Sequence, residues 1–165
     1  MLSMKKEKVY KPSKVKVKRS SAGLGLYAVN AIPKKQFIIE YKGPILNEAQ
    51  VQAKGGKYLF EISRNKTIDG TSRKNVARYI NHSCKPNAEV DIKKGRVLIS
   101  AIKNIAAGEE IGYDYGKEYY DDYIKPYGCK CHAEKHLYLA KPKKKVVKKK
   151  STKKVKKRVK TKTAR

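Results

Sequence analysis

The chain has 165 residues, enough for one domain with a modest core, and carries 42 Lys and Arg against 14 Asp and Glu, a formal charge of +28. No apolar stretch approaches the roughly 20 residues of a membrane span, and the N-terminus lacks the apolar centre of a signal peptide. Three cysteines cannot all pair, which argues against a disulfide framework and for ligands or free thiols in a reducing, intracellular compartment.

In chain order, residues 1–20 hold eight basic residues against Glu7 alone, and residues 1–13 are expected to form a basic arm. Between Ser21 and Ala140 the balance is 19 basic to 13 acidic, an ordinary globular composition. Branched or alternating apolar runs predict strands over Lys14–Lys18, Leu24–Asn30, Phe37–Tyr41, Tyr58–Ile62, Ala88–Ile92 and Arg96–Ile102. Pro33, Gly43-Pro44, Gly55-Gly56, Gly70, Pro86-Asn87, Gly95 and Gly108 supply the breaks between them. Helical character is confined to Asn47–Lys54 and Ser72–Ile80. The prediction is a mainly β domain with minor helix. The end of the chain, residues 141–165, holds 15 basic residues and no acid. Such a stretch cannot bury enough apolar surface to fold alone, and its charge density suits polyanion binding through counterion release. Its Lys-Lys-Val pattern looks like the tails of linker histones and bacterial histone-like proteins.

Three motifs carry chemistry. Gly23-Leu24-Gly25 precedes a predicted strand and permits close backbone approach to a ligand, although a lone Gly-x-Gly is more often a turn. Asn81-His82-Ser83-Cys84 concentrates polar side chains before Pro86-Asn87; taken alone, His82 could equally be a satisfied core histidine. Tyr113 and Tyr115 lie two apart on a predicted strand, hence on one face, beside Glu109, Glu110 and Asp114.

In order, Gly23-x-Gly25, Phe37-x-x-Glu40-Tyr41-x-Gly43, Asn81-His82-Ser83-Cys84 and Gly108-Glu109-Glu110-x-x-Tyr113-Asp114-Tyr115 resemble the signature of SET-domain lysine methyltransferases. The resemblance runs from about Val15 to Leu139. It implies a SET β-fold over 14–116 with a C-terminal pseudoknot, a post-SET segment over 117–140, and a disordered lysine-rich tail over 141–165.

The same resemblance gives the cysteines a role. Post-SET segments of this family carry Cys-x-Cys-x4-Cys, whose thiolates join the cysteine after Asn-His-Ser around one zinc. Here the segment reads Cys129-Lys130-Cys131-His132-Ala133-Glu134-Lys135-His136, with His136 at the third cysteine's position. Cys84, Cys129, Cys131 and His136 are thus the implied zinc ligands, with His132 as the competitor for the fourth place.

For the cofactor, S-adenosylmethionine, the resemblance implies contacts from Gly23, Leu24, Gly25, Tyr58, Arg78, Asn81 and His82, with Leu137 or Tyr138 covering the adenine or the channel mouth. Tyr115 corresponds to the family's catalytic tyrosine, Tyr41 to a wall of the lysine channel, and Tyr113 to the Phe/Tyr position that limits the number of methyl groups added. The implied activity is protein-lysine methylation of a histone, histone-like or other chromatin protein, with nucleic acid held by the tail, no membrane partner, and tail lysines as self-substrates. Chromatin or nucleoid association follows. Two alternatives use the same features: a non-catalytic SET scaffold that compacts nucleic acid, and a methyltransferase for a non-histone basic protein such as a ribosomal protein.

Overall fold

The computed structural model describes residues 10–138. The tail at 141–165, and the N-terminal arm up to residue 9, lie outside the described residues. Among the described residues ten strands make three small sheets: β1 (Val15–Ser20), β2 (Gly23–Ala28), β3 (Phe37–Tyr41), β4 (Ile45–Leu46), β5 (Leu59–Ser63), β6 (Lys66–Asp69), β7 (Asn81–His82), β8 (Ala88–Lys93), β9 (Arg96–Ala101) and β10 (Glu110–Tyr113). The orders are β1-β2-β10-β7, β3-β9-β8 and β4-β6-β5.

Alternation decides which faces meet. In β1 the valines are half-buried and the lysines exposed, the period-two signature of a sheet wet on one side. Strand β9, buried at Val97, Leu98, Ile99 and Ala101, is central in its sheet between β3 and β8. Leu26, Ile38, Val97, Ile99, Ile105 and Ile111 are almost wholly buried, and each stabilises the fold by about 1.5–3 kcal/mol relative to an exposed side chain.

The mainly β prediction holds, and the strand at Phe37–Tyr41 has the predicted bounds. Helix α1 (Glu48–Lys54) starts where the sequence suggests. The Asn47 side chain accepts from the Gln50 amide at 2.9 Å, and the Asn47 amide donates back to Gln50 Oε1 at 2.9 Å. This capping box is worth about 1 kcal/mol, and the helix needs it because none of its residues is buried.

The helix expected over Ser72–Ile80 is reduced to a 3-10 turn, Val76–Tyr79. Asn75 does not cap it. Its carboxamide is buried and occupied elsewhere, accepting from the Lys42 amide at 3.1 Å and donating to the Gly70 carbonyl at 3.4 Å. Ile80 then turns extended to enter β7. Beyond β10 the chain forms α2 (Lys117–Tyr119), a π turn over Tyr120–Ile124 and a 3-10 turn over Lys125–Tyr127; of these residues only Tyr120 is buried.

Lys54, at the end of α1, ties the helix to β6 through a 2.7 Å ion pair with Asp69. Hydrogen bonding to Lys54, and then to Thr71, holds the Asp69 carboxyl down at about 2 from an ordinary 3.8. A depressed carboxyl adds stability that is complete above its unfolded value and lost as pH falls through its folded value. Acid titration should therefore remove about 1–2 kcal/mol between pH ~4 and ~2, a figure discounted because Lys54 is partly solvated. Asp69→Asn should abolish that part of the acid transition in a calorimetric series; an unchanged profile would remove the role given to the pair.

Candidate active site and metal centre

Sheet pairing assembles the site. Strand β10 runs antiparallel to β2, with Glu110 opposite Tyr27 and Ile111 opposite Leu26, and parallel to β7, with Gly112 opposite Asn81 and Tyr113 opposite His82. Three distant motifs therefore converge on one strand; the strand ends at Tyr113, so Tyr115, expected on the same strand, lies two residues beyond it.

A cleft of about 1170 Å³ opens there. Leu24, Tyr41, Tyr58, Arg78, Asn81, His82, Tyr113 and Tyr115 all line it. Gly23 and Gly25 flank Leu24 without lining the cleft, and Gly25 has a packing reason to be glycine. A Cβ there would lie 2.3 Å from Glu110 Oε1. That carboxylate is a fixed anchor: Asn81 Nδ2 donates to it at 2.8 Å, the Ser20 hydroxyl at 3.0 Å and the Tyr27 hydroxyl at 3.2 Å. Asn81 Nδ2 also reaches the Leu24 carbonyl at 3.0 Å, which pins the glycine loop to β7.

The floor of the cleft is aromatic. Tyr113 and Tyr115 have ring centroids 4.9 Å apart, Tyr115 and Tyr119 4.9 Å, and Tyr119 and Tyr123 4.7 Å. Tyr41, which also lines the cleft, packs on Phe60 at 5.5 Å and donates its hydroxyl to the Tyr58 carbonyl at 2.8 Å. Gly70 makes room for it, since a Cβ would sit 2.0 Å from the Tyr41 oxygen. Tyr115 is held at both ends. Its hydroxyl donates to the Ile80 carbonyl at 2.6 Å, and its amide donates to His82 Nδ1 at 3.2 Å. Burial pushes the Tyr115 phenol well above its ordinary value, with Tyr113 and Tyr119 adding to it, and burial likewise raises Tyr41 and Tyr113. All three remain neutral hydroxyls at physiological pH.

Arg78 stacks its guanidinium 3.8 Å from the Tyr58 ring centroid and donates to the Thr71 carbonyl. Its Nε is buried with no partner among the described residues. An unpaired charged donor beside a cleft fits a ligand that brings an acceptor such as a carboxylate. Leu137, about half exposed, and Tyr138 do not line the cleft. Tyr138 instead packs on Tyr120 at 5.0 Å and donates to Asp114.

Next to the cleft, Cys84, Cys129, Cys131 and His136 bring their ligand atoms within 4.8 Å of one another. Cys84 and Cys129 sulfurs are 3.9 Å apart, Cys129 and Cys131 sulfurs 3.3 Å, and Cys131 Sγ lies 3.5 Å from His136 Nδ1. Four atoms around a zinc with Zn–S of ~2.3 Å stand about 3.5–3.8 Å from each other, so the donor set fits a tetrahedral ion. The electrostatics agree. Burial pushes the Cys84 thiol up to about 12, with the neighbouring Cys131 and Cys129 sulfurs adding to it. The Tyr120 hydroxyl, buried with no partner among the described residues, feels the same sulfurs. Metal-bound thiolates would offer it acceptors. His132 is exposed and does not join the cluster.

Residues 23–116 match the SET domain family. The chain belongs to that family. Among curated relatives, it is 38% identical over 122 residues to "Histone-lysine N-methyltransferase, H3 lysine-4 specific" of Saccharomyces cerevisiae, covering 66% of this chain and 11% of the relative. It is 38% identical over 123 residues to "Histone-lysine N-methyltransferase trr" of Drosophila melanogaster, covering 67% and 5%. To "Histone-lysine N-methyltransferase ASHR3" of Arabidopsis thaliana it is 36% identical over 138 residues, covering 75% and 27%. The chain thus spans between 5% and 27% of the length of these three relatives.

The sequence reading missed Glu110 as an anchor within this SET domain, and Tyr119 and Tyr123 just beyond it as aromatic walls of the cleft. The signal was available for the tyrosines: positions 115, 119 and 123 recur every four residues, the spacing of one helical face. Glu110 gave none, since its partners are 29 and 90 residues away.

Proposed function

We propose that the chain is an S-adenosylmethionine-dependent protein-lysine N-methyltransferase acting on histone or histone-like chromatin proteins. The observation that carries this reading is the Tyr115 hydroxyl, fixed on the Ile80 carbonyl inside a tyrosine-lined cleft beside Asn81 and His82. The cofactor would supply the electrophilic methyl group. Leu24, Asn81 and the backbone around Gly23 and Gly25 would hold it, with Tyr58 and Arg78 at its polar end.

The protein's task is the nucleophile. A free lysine with pKa near 10.4 is mostly ammonium at pH 7, and reaching the amine costs about 4–5 kcal/mol. The rings of Tyr41, Tyr113 and Tyr115 strip water from the ammonium, and a dry channel disfavours its charge. The Tyr115 hydroxyl, its proton committed to Ile80, presents lone pairs that orient the amine and the methyl. With its phenol pushed up by burial, Tyr115 acts by position and dipole and not as a base. The Tyr113 hydroxyl narrows the space for added methyl groups.

The Cys84, Cys129, Cys131 and His136 cluster is read as a structural zinc site that secures the post-SET segment. The domain division at 14–116, 117–140 and 141–165 belongs to this reading, as do chromatin or nucleoid association and nucleic-acid binding by the tail. Self-methylation of tail lysines belongs to the same reading, since lysines on the same chain would meet the cleft at an effective concentration on the order of millimolar.

The test is incubation of the full chain with labelled cofactor and a panel of core histones, linker histones and ribosomal proteins. Label on histone lysines is the expected result. Truncation after Ala140 should leave peptide methylation intact while abolishing sequence-independent DNA binding and its salt dependence. Labelling of none of the panel would support the non-catalytic scaffold, and labelling of ribosomal proteins alone would move the substrate class. An unmodified tail under conditions where a histone is methylated would remove self-methylation.

A further inference from the structure

His82 touches two centres at once. On one side its Nε2 lies 3.2 Å from Cys84 Sγ; on the other its Nδ1 accepts the Tyr115 amide N–H at 3.2 Å. The ring is buried, packed at 5.4 Å on Tyr120 and at 5.6 Å, edge-on, on Tyr115, so it has little freedom to turn away from either partner. Asp114 Oδ1 stands 3.6 Å from the same Nδ1 and is the one carboxylate facing it among the described residues.

Hydrogen-bond chemistry then selects a single arrangement. An amide N–H can only donate, so Nδ1 must be bare and the ring proton must sit on Nε2. That proton points at Cys84. A thiol there is a weak acceptor, whereas a metal-bound thiolate is an acceptor only and a strong one. Filling the cysteine cluster therefore locks the tautomer that leaves Nδ1 free to hold Tyr115. Outer-shell partners hydrogen-bonded to metal ligands work this way, each fixing the orientation of the other.

We propose that His82 is a positioning residue that couples occupation of the Cys84–Cys129–Cys131–His136 cluster to the placement of the Tyr115 backbone. Loading the cluster orders Tyr115 in the cleft through His82; emptying it releases that residue. The coupling between metal and Tyr115 stands on the geometry of His82, and only its consequence for turnover rests on the methyltransferase reading.

The experiment uses the full chain with zinc, in wild type, His82→Leu and His82→Gln. The first readout is zinc transfer to a coloured chelator, and the second is hydrogen-exchange protection of the Tyr115 amide; neither requires methyl transfer. His82→Leu is expected to weaken zinc about 10–100-fold and to lose the Tyr115 protection. His82→Gln, which can both donate and accept, should recover part of each. In wild type, chelation should remove the Tyr115 protection before the core strand β9 loses its own. With an active substrate in hand, His82→Leu should lower kcat more than it raises the KM of the peptide.

Three outcomes overturn the proposal. His82→Leu holding zinc as tightly as wild type leaves the metal unlinked. Weakened zinc with a still-protected Tyr115 amide reduces His82 to an outer-shell partner of the metal. A folded His82→Gln that recovers neither readout removes the hydrogen bonds as the cause. Absence of methyl transfer in every form, with both other readouts behaving as expected, sinks the functional reading and leaves the coupling standing.

Discussion

Replacing Tyr115 by Phe should lower kcat by about 10²–10³-fold, the range seen when one preorganised polar group is withdrawn from a reacting centre. The ring stays, so the stacks on Tyr113 and Tyr119 survive and the cleft keeps its shape. The amide bond to His82 also stays, because it belongs to the backbone. What goes is the hydroxyl and its 2.6 Å bond to the Ile80 carbonyl. Leaving that carbonyl short of a donor costs about 1–3 kcal/mol of stability. Melting should fall by several degrees with no loss of cooperativity. Cofactor affinity, measured by calorimetry, should change no more than about threefold, because the contacts assigned to the cofactor lie on Leu24, Asn81 and Arg78. Burial sets the sign of the pH dependence as well. A phenol raised this far stays neutral through the working range, so the rate should rise with pH as the lysine amine deprotonates and show no loss from Tyr115 ionising. Near wild-type turnover in the variant would remove Tyr115 from the centre.

The sequence carried the site further than it carried the elements that build it. Strands β1, β2, β3, β5, β8 and β9 were legible because each contributes alternating or branched apolar residues to a sheet face. Strands β4, β6 and β7 were not. Ile45–Leu46 and Asn81–His82 are two residues each, and a pair has no period to read. Strand β6, Lys66-Thr67-Ile68-Asp69, buries its aspartate because Lys54 and Thr71 satisfy it, which reverses the usual meaning of an acid at a strand end. The Ser72–Ile80 helix failed for a tertiary reason: Asn75 spends its carboxamide on Lys42 and Gly70, and Ile80 must leave as strand. Periodicity could not place Asn81 beside Gly112. That pairing is parallel and spans 31 positions; only the pseudoknot implied by the family resemblance pointed toward it, and the resemblance also supplied the four ligands of the cysteine cluster. Leu137 and Tyr138, expected over the adenine or the channel mouth, are not among the residues that line the cleft.

Removing the metal should disturb the molecule more than any single exchange in the core. The chain after Gly116 has little else to hold it. Its helix α2 and 3-10 turn bury nothing, and Tyr120 is the one buried residue of the π turn. A few contacts cross back to the sheets, among them Ser21 donating to the Lys130 carbonyl at 2.7 Å and Tyr119 donating to the Lys57 carbonyl at 3.2 Å. Each is worth about 1 kcal/mol at most, against ~10–16 kcal/mol for a structural zinc bound by a cysteine-rich peptide. Metal analysis should therefore find about one zinc per chain. His136→Ala should weaken it by at least ~100-fold, because three thiolates left without the imidazole no longer close a tetrahedron. His132→Ala should have no such effect, since that ring is exposed and apart from the cluster. Exchange of backbone amides should resolve the loss in space. Residues 117–138 should become labile on chelation while β3, β8 and β9 stay protected, because the sheet of these strands shares no ligand with the cluster. Cofactor affinity should fall with it, as Cys129 and Cys131 stand at the edge of the same cleft. A chelated protein that keeps residues 117–138 protected and binds cofactor at full strength would show that packing alone holds this segment, and the cluster would lose its structural role.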